Sequence, residues 1–284
     1  MNFNQLILTK ANGKPEAFSE EKFRHSLARS GAGHAEIDSV IYKIREKIHP
    51  GMTTRELYRM ATSLLKKSSP SHASRFGLKK AIMELGPSGY PFERFVAALF
   101  AHQGFNVEVG QILQGKCVTH EVDVLGRKGK EIMLVECKYH NRAGFTVDVK
   151  IPLYIHSRFQ DLLENKLLPD TSFHFNGWIA TNARFSDDAI SYALCRGMKL
   201  LGWDFPKNAG LKDWIDESGL YPITCISGLS SAEKKFLLEK EVVLVKELSQ
   251  NLHWLAKAGV SEPRFSRIRQ EIQELIQESA PNQL

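Results

Sequence analysis

The stretch His120–Lys138, HEVDVLGRKGKEIMLVECK, constrains the fold of this chain more than any other. Two apolar runs, VDVL and IMLV, flank GRKGKE, the pattern of two antiparallel strands about a turn. Yet Asp123 lies inside the first run, and Glu136 and Lys138 end the second. Burying unpaired charge is expensive, so these groups either neutralise one another or hold something. Alternation along a strand puts Glu136 and Lys138 on one face and Cys137 on the other. A turn centred near Lys128–Lys130 pairs Asp123 with Val135 or Glu136. With a one-residue adjustment, the three charged side chains converge at one end of a sheet.

Two carboxylates meeting there repel unless a cation sits between them. Mg²⁺ is suited to that position, since it takes one or two carboxylates and completes its shell with water and phosphate; Mn²⁺ is the alternative. Asp123 and Glu136 are the expected ligands, with the backbone carbonyl of Cys137 as a third and Glu93 as an outer or second-metal ligand. Lys138 would hold the attacking water and stabilise charge at phosphorus. The chemistry this suggests is metal-assisted phosphodiester hydrolysis. The competing reading of Glu-x-Lys at a strand end is a surface ion pair. Asp123, thirteen residues earlier, and the apolar context weigh towards a sheet end.

The 284-residue chain is long enough for about two domains, with room for a small module. Its longest apolar runs fall well short of the roughly 20 residues that span a bilayer, and MNFNQLILTKANGK lacks the form of a signal peptide. The four cysteines, Cys117, Cys137, Cys195 and Cys225, form no CxxC pair and give no zinc signature. A soluble, cytoplasmic protein is expected. The net charge of +6 is uneven: residues 1–89 hold 15 Lys and Arg against 8 Asp and Glu. A basic first third suits a polyanion such as a nucleotide or a nucleic-acid backbone, or is simply a solvated basic surface.

Composition changes along the chain. LILTK and PEAF flank Asn12-Gly13, a hairpin signal, and about four helical segments follow, the first opened by Ser19. Gly86–Pro91, GPSGYP, reads as a linker. Beyond it the order is α-β-β-β-α-β-α-β, which implies a mixed sheet with helices on both faces. On the helix that follows Lys138, Lys150, Tyr154, Arg158 and Asp161 share one face, fit either for a phosphate backbone or for solvent. His120 and Glu121 precede Asp123; His120 is a supporting group, a substrate contact or an ordinary strand residue. From about Pro222 the chain is helical, and APNQL at its end is expected to fray.

EVDVLGRKGKEIMLVECK resembles the core of the PD-(D/E)xK nucleases, in the Mrr-like restriction-endonuclease branch. PFERFVAALFAHQGFNVE resembles the opening helix of that branch, and GWIATNARFSDDAISYALCRGMKLLGW its later strand-helix-strand. The likeness covers residues 90–205 and implies Asp123, Glu136 and Lys138 as the catalytic set, with Glu93 as accessory. LTKANGKPEAFSEEKFRHSL, MTTRELYRMATSLL and SHASRFGLKKAIMEL resemble an ATP-cone, a nucleotide-binding regulatory module. The residues carried over are Lys10, Glu16, Lys22, Thr54 and Tyr58, for ATP or dATP. Ala11 departs from that family, whose members usually place Arg there. With no GxxxxGK[ST] loop, nucleotide would be sensed and not hydrolysed. PITCISGLSSAEKKFLLEKEVVLVKELSQNLHWLAKAGV faintly resembles helix-hairpin-helix modules, although a plain helical cap or dimerisation piece fits it better.

The expected fold is therefore a multidomain α+β / α/β chain: a β-hairpin plus four-helix ATP-cone over 1–88, a restriction-endonuclease-like α/β sandwich over 90–205, and a small helical module over 206–284. The expected function is a nucleotide-regulated, Mg²⁺-dependent DNA endonuclease, with DNA and nucleotide as partners, no membrane, and self-association into a homo-oligomer. The alternative is a catalytically silent nucleic-acid-binding protein, or a regulator governed by the cone.

Overall fold

A computed structural model describes residues 6–10, 13–165, 170 and 172–277. Ala11, Asn12 and the terminal APNQL lie outside these residues. The chain divides into two compact units, one made of Met1–Ile82 with Tyr221–Glu278 and the other of Met83–Leu220. Thirteen helices and a five-stranded mixed sheet are present among the described residues.

The first unit opens with β1 (Ile7–Thr9) and β2 (Pro15–Ala17), antiparallel with Leu8 opposite Glu16. Gly13, at φ +79°, closes their turn with its N–H on the Lys10 carbonyl at 2.9 Å, a conformation that glycine adopts without strain. Helix α1 (Glu20–Arg29) is capped by the Ser19 hydroxyl on the Lys22 N–H. Then come α2 (His34–Arg45), α3 (Thr54–Ser68), α4 (Pro70–Phe76) and α5 (Leu78–Met83). A reciprocal Thr53–Glu56 capping box starts α3. The expected fourth helix is broken in two at Gly77, which caps α4. Apolar residues at helical spacing, among them Leu27, Ile44, Leu57, Ala61 and Leu65, fill the core.

The second unit starts with α6 (Tyr90–His102), which carries Pro91 in its first turn. Next are β3 (Asn106–Gln114), β4 (Thr119–Lys128), β5 (Glu131–Lys138) and the two-residue β6 (Thr146–Val147). They are followed by α7 (Lys150–Glu164), β7 (His174–Thr181), β8 (Arg184–Phe185), α8 (Asp187–Cys195), β9 (Lys199–Leu201) and α9 (Leu211–Ser218). The sheet order is β3-β4-β5-β7-β9; the first three strands are antiparallel, and β7 and β9 extend the sheet in parallel. On one face Leu125, Ile132, Leu134 and Ile179 meet Ile155 and Phe159 of α7 and Ala189 of α8. On the other, Phe100 of α6 makes edge-to-face ring contacts with Trp178 of β7 and Trp214 of α9. Helices thus cover both faces: the crossover helices α7 and α8 lie on one, and α6 and α9 on the other.

The chain then returns to the first unit through α10 (Ser231–Glu239), α11 (Val245–Gln250), α12 (His253–Lys257) and α13 (Arg264–Gln277). The expected module 206–284 is not a separate body. Residues up to Leu220 belong to the second unit, where Trp214 completes the aromatic cluster. The remainder belongs to the first unit, where Ile268, Ile272 and Leu275 of α13 are buried and a polar cluster joins them to α4. Glu271 of α13, 4% exposed, accepts the Ser74 hydroxyl at 2.7 Å, the Ser227 N–H at 2.6 Å and the Gly228 N–H at 3.1 Å. A buried carboxylate needs such donors, and α4 supplies one of them. The Thr224 hydroxyl adds a bond to the Ala81 carbonyl at 2.7 Å. The loop amides of a helix-hairpin-helix would face a phosphate; here those of Ser227 and Gly228 face Glu271.

Candidate active site

Strands β4 and β5 pair from Lys128↔Glu131 to Val124↔Val135. One step further stand Asp123 and Glu136, and there the ladder ends while β5 continues against β7 as far as Lys138↔Thr181. On the other side of β4, the register passes from Val109↔Val124 to Gln111↔Val122 and skips Gly110, whose φ is +65°. Val122 and Leu125, three apart, both join the core under α7, a spacing that a regular strand does not permit. The strand is therefore irregular at Asp123, and β4 and β5 part at that point.

Side chains bridge the parting. Asp123 Oδ2 accepts the Cys137 N–H at 2.6 Å. Glu136, 5% exposed, holds Lys138 Nζ at 2.5 Å on Oε1 and Arg158 Nη1 at 2.6 Å on Oε2. Arg158 also donates from Nη2 to the Glu121 carbonyl. Asp123, Glu136 and Lys138 thus come together as their spacing suggested. The Cys137 thiol is buried and its pKa is pushed well up by that burial, so the residue's remaining donor for a cation is its carbonyl.

The electrostatics are those of a site short of positive charge. Burial first, then the charge of Glu136, raises the Asp123 carboxyl to about 6. Burial, and then the charges of Asp123, Glu121 and Glu136, raise Glu93 to about 7. Gly89 leaves room for this side chain, because a Cβ there would stand 3.1 Å from Glu93 Oε1. A divalent cation beside Asp123 and Glu93 would relieve this repulsion, and in that sense the residues present fit one. Among the described residues, no group of three or more His, Cys, Asp or Glu side chains forms a ready-made cage; the donor set is two or three carboxylates and a carbonyl.

Side chains from the end of β7 hold the backbone at and beyond the end of β5. Thr181 donates its hydroxyl to the Lys138 carbonyl at 2.6 Å. Asn182, 4% exposed, accepts the His140 N–H at 2.9 Å and donates to the His140 carbonyl at 2.7 Å. Thr181 ends β7 and Asn182 follows it, and nothing in their local pattern marks them as the clasp of another strand. Arg158 and Asp161, expected on an outward face of α7, turn towards the sheet. Asp161 lies 2.7 Å from His120 Nε2 and accepts the Cys117 N–H at 2.8 Å; the His120 contact is the main cause that holds its carboxyl down at about 2. Asp161 therefore ties the β3–β4 connection to α7, with His120 as its side-chain partner. Tyr154 stays outside, 59% exposed, with Arg158 over its ring.

In the first unit, Lys10 pairs with Glu16 across the hairpin at 2.8 Å. Lys22 lies in the first turn of α1. Thr54 opens α3, and Tyr58 one turn later stacks on Phe76 at 5.0 Å and 18°. A cavity of about 510 Å³ borders α3 on the side of Arg59, Met60 and Lys67 and reaches Lys47 and His49. Thr54 and Tyr58 are not among its lining residues.

A family model described as AF1548-like, C-terminal, matches residues 221–276. An uncharacterized protein of Archaeoglobus fulgidus is 36% identical over 131 residues, which is 46% of this chain and 71% of that protein. The crystal structure of a protein of unknown function, AF1548, is similar with a TM-score of 0.55 at 29% identity, covering 67% of this chain and 100% of that one. The MspJI restriction endonuclease in complex with a 27-mer oligonucleotide gives a TM-score of 0.30 at 11% identity over 78% of this chain and 44% of that one. No helix among the described residues is long and apolar enough to cross a membrane.

Proposed function

This chain belongs to the AF1548-like family, and we propose that its second unit hydrolyses phosphodiester bonds in DNA with a divalent cation, under the control of a nucleotide held by its first unit. One observation carries the reading: two carboxylates and an ammonium, Asp123, Glu136 and Lys138, gather where β4 and β5 part. Asp123 and Glu136 would hold Mg²⁺ or Mn²⁺, with the Cys137 carbonyl beside them and Glu93 as an outer group. The bound cation supplies Lewis acidity and neutralises charge on the phosphoryl oxygens. Lys138, partly exposed beside Glu136, donates hydrogen bonds to the attacking water or to a non-bridging oxygen. Water adds to phosphorus, one P–O ester bond breaks, and the leaving oxygen takes up a proton.

The test is cleavage of plasmid DNA in Mg²⁺. The parent chain nicks or linearises it, and Asp123→Ala and Glu136→Ala abolish the cutting. Equal cutting by both variants would overturn the assignment of the site. A second reading, a catalytically silent DNA-binding protein, draws on Glu136, whose two oxygens are already met by Lys138 and Arg158. It predicts DNA retention in a gel without any Mg²⁺-dependent product.

For the first unit we propose nucleotide sensing, with Lys10, Glu16, Lys22, Thr54 and Tyr58 around ATP or dATP. Support comes from the basic balance of residues 1–89 and from the ion pair that joins Lys10, one residue past β1, to Glu16 of β2.

A further inference from the structure

We infer that Arg158 is a positioning residue: its guanidinium stitches β5 to β4 where their ladder ends, and so fixes the Glu136 carboxylate. The metal-binding consequence rests on the nuclease reading above; the stitch itself does not. Past Val124↔Val135, backbone pairing no longer joins these strands. One planar group spans the gap, with Nη1 on Glu136 Oε2 at 2.6 Å and Nη2 on the Glu121 carbonyl. Glu136 belongs to β5 and Glu121 to β4. The guanidinium is itself held by α7, whose Ile155, Phe159 and Leu162 are buried under the sheet, and its exposure is only 15%.

Two parallel donors in one rigid plane are what a guanidinium has and an ammonium lacks. A lysine at 158 would keep the positive charge near Glu136 but could not span both acceptors as a fork. Geometry and charge are thereby separable. If Arg158 served only as a counter-ion to Glu136, lysine would replace it. If it served as a competitor for the carboxylate, a neutral residue would tighten metal binding.

The experiment compares the parent chain with Arg158→Lys and Arg158→Gln by two readouts. Amide hydrogen exchange, in chelator and without DNA, is followed at 121–123 and 136–138, with the amides of α8 as an internal control of folding. Both variants should speed exchange at the two strand segments and leave α8 protected; unchanged exchange in Arg158→Lys overturns the stitch. Mn²⁺ binding is then titrated calorimetrically. Loss of a group that orients a metal ligand typically weakens affinity by about tenfold or more, and both variants should do so. Affinity equal to the parent in Arg158→Lys, or tighter in Arg158→Gln, overturns the positioning role. A parent chain that binds no Mn²⁺ and cuts no DNA sinks the nuclease reading instead, while the exchange data still decide the stitch.

Discussion

Asp123 reaches from β4 to the backbone of Cys137 on β5, accepting its N–H at 2.6 Å one step beyond the last paired residues of the two strands. A carboxylate thereby takes the place of a ladder bond and is held at the end of the sheet. That arrangement brings it close enough to Glu136 and Glu93 for their charges to matter, and the consequences can be measured.

The first concerns pH. Asp123 is raised to about 6 and Glu93 to about 7, against about 4 for each in an unfolded chain. Between those values the folded protein holds protons that the unfolded chain has released, so stability falls as pH rises through the window from about 4 to 7. The melting temperature of the metal-free protein should drop across that range, and Asp123→Asn should flatten the drop. A divalent cation should reverse it, because it favours the ionised carboxylates. Cleavage should accordingly rise with pH on its acid limb near 6 to 7; activity undiminished at pH 5 would contradict this account.

Asn182 offers a second test. It satisfies both the N–H and the carbonyl of His140, just beyond Lys138. Asn182→Ala leaves two backbone groups unmatched and should reduce stability by about 1–3 kcal/mol in urea unfolding. Lys138 sits two residues from His140, so DNA cleavage should fall further than unfolding at the assay temperature explains.

Glu271 offers a third. Removal of its carboxylate strands the Ser74 hydroxyl and two loop amides. Glu271→Ala should cost about 2 kcal/mol or more, and Glu271→Gln less, since one oxygen acceptor survives. Denaturation followed by far-UV circular dichroism ranks the three proteins; an alanine variant as stable as the parent would deny the carboxylate its structural role.

The nucleotide reading is tested by ligand linkage. ATP or dATP that binds only the folded first unit raises its melting temperature as concentration exceeds the dissociation constant. The rise should vanish in Lys10→Ala and shrink in Tyr58→Ala. No rise with ATP, dATP or ADP would remove the first unit from the sensing proposal.

Much of the site could be read from local pattern. Alternation in VDVL and IMLV, with GRKGKE between them, put Asp123 beside Val135 and Glu136, and the pairing of Val124 with Val135 agrees. Helical spacing likewise showed that Arg158 and Asp161 share a face, but periodicity cannot say which face meets the sheet; their partners, Glu136 and His120, decide that. The clasp of Asn182 on His140 and the nest of Glu271 join residues 42 or more positions apart. Such contacts leave no trace in a local window, and for that reason a separate tail was expected where the chain returns to its beginning. The single helix expected over SHASRFGLKKAIMELG is divided at Gly77, which caps α4.

That return has a consequence for how such a chain can be built. The hydroxyl of Thr224 rests on the carbonyl of Ala81, so the points where the backbone leaves the first unit and re-enters it are neighbours. The segment between them is a cassette: a bridge of a few residues could replace it and leave its host closed. Deleting everything after Leu220 would do the opposite and deprive the host of the whole of its second segment, Tyr221–Glu278.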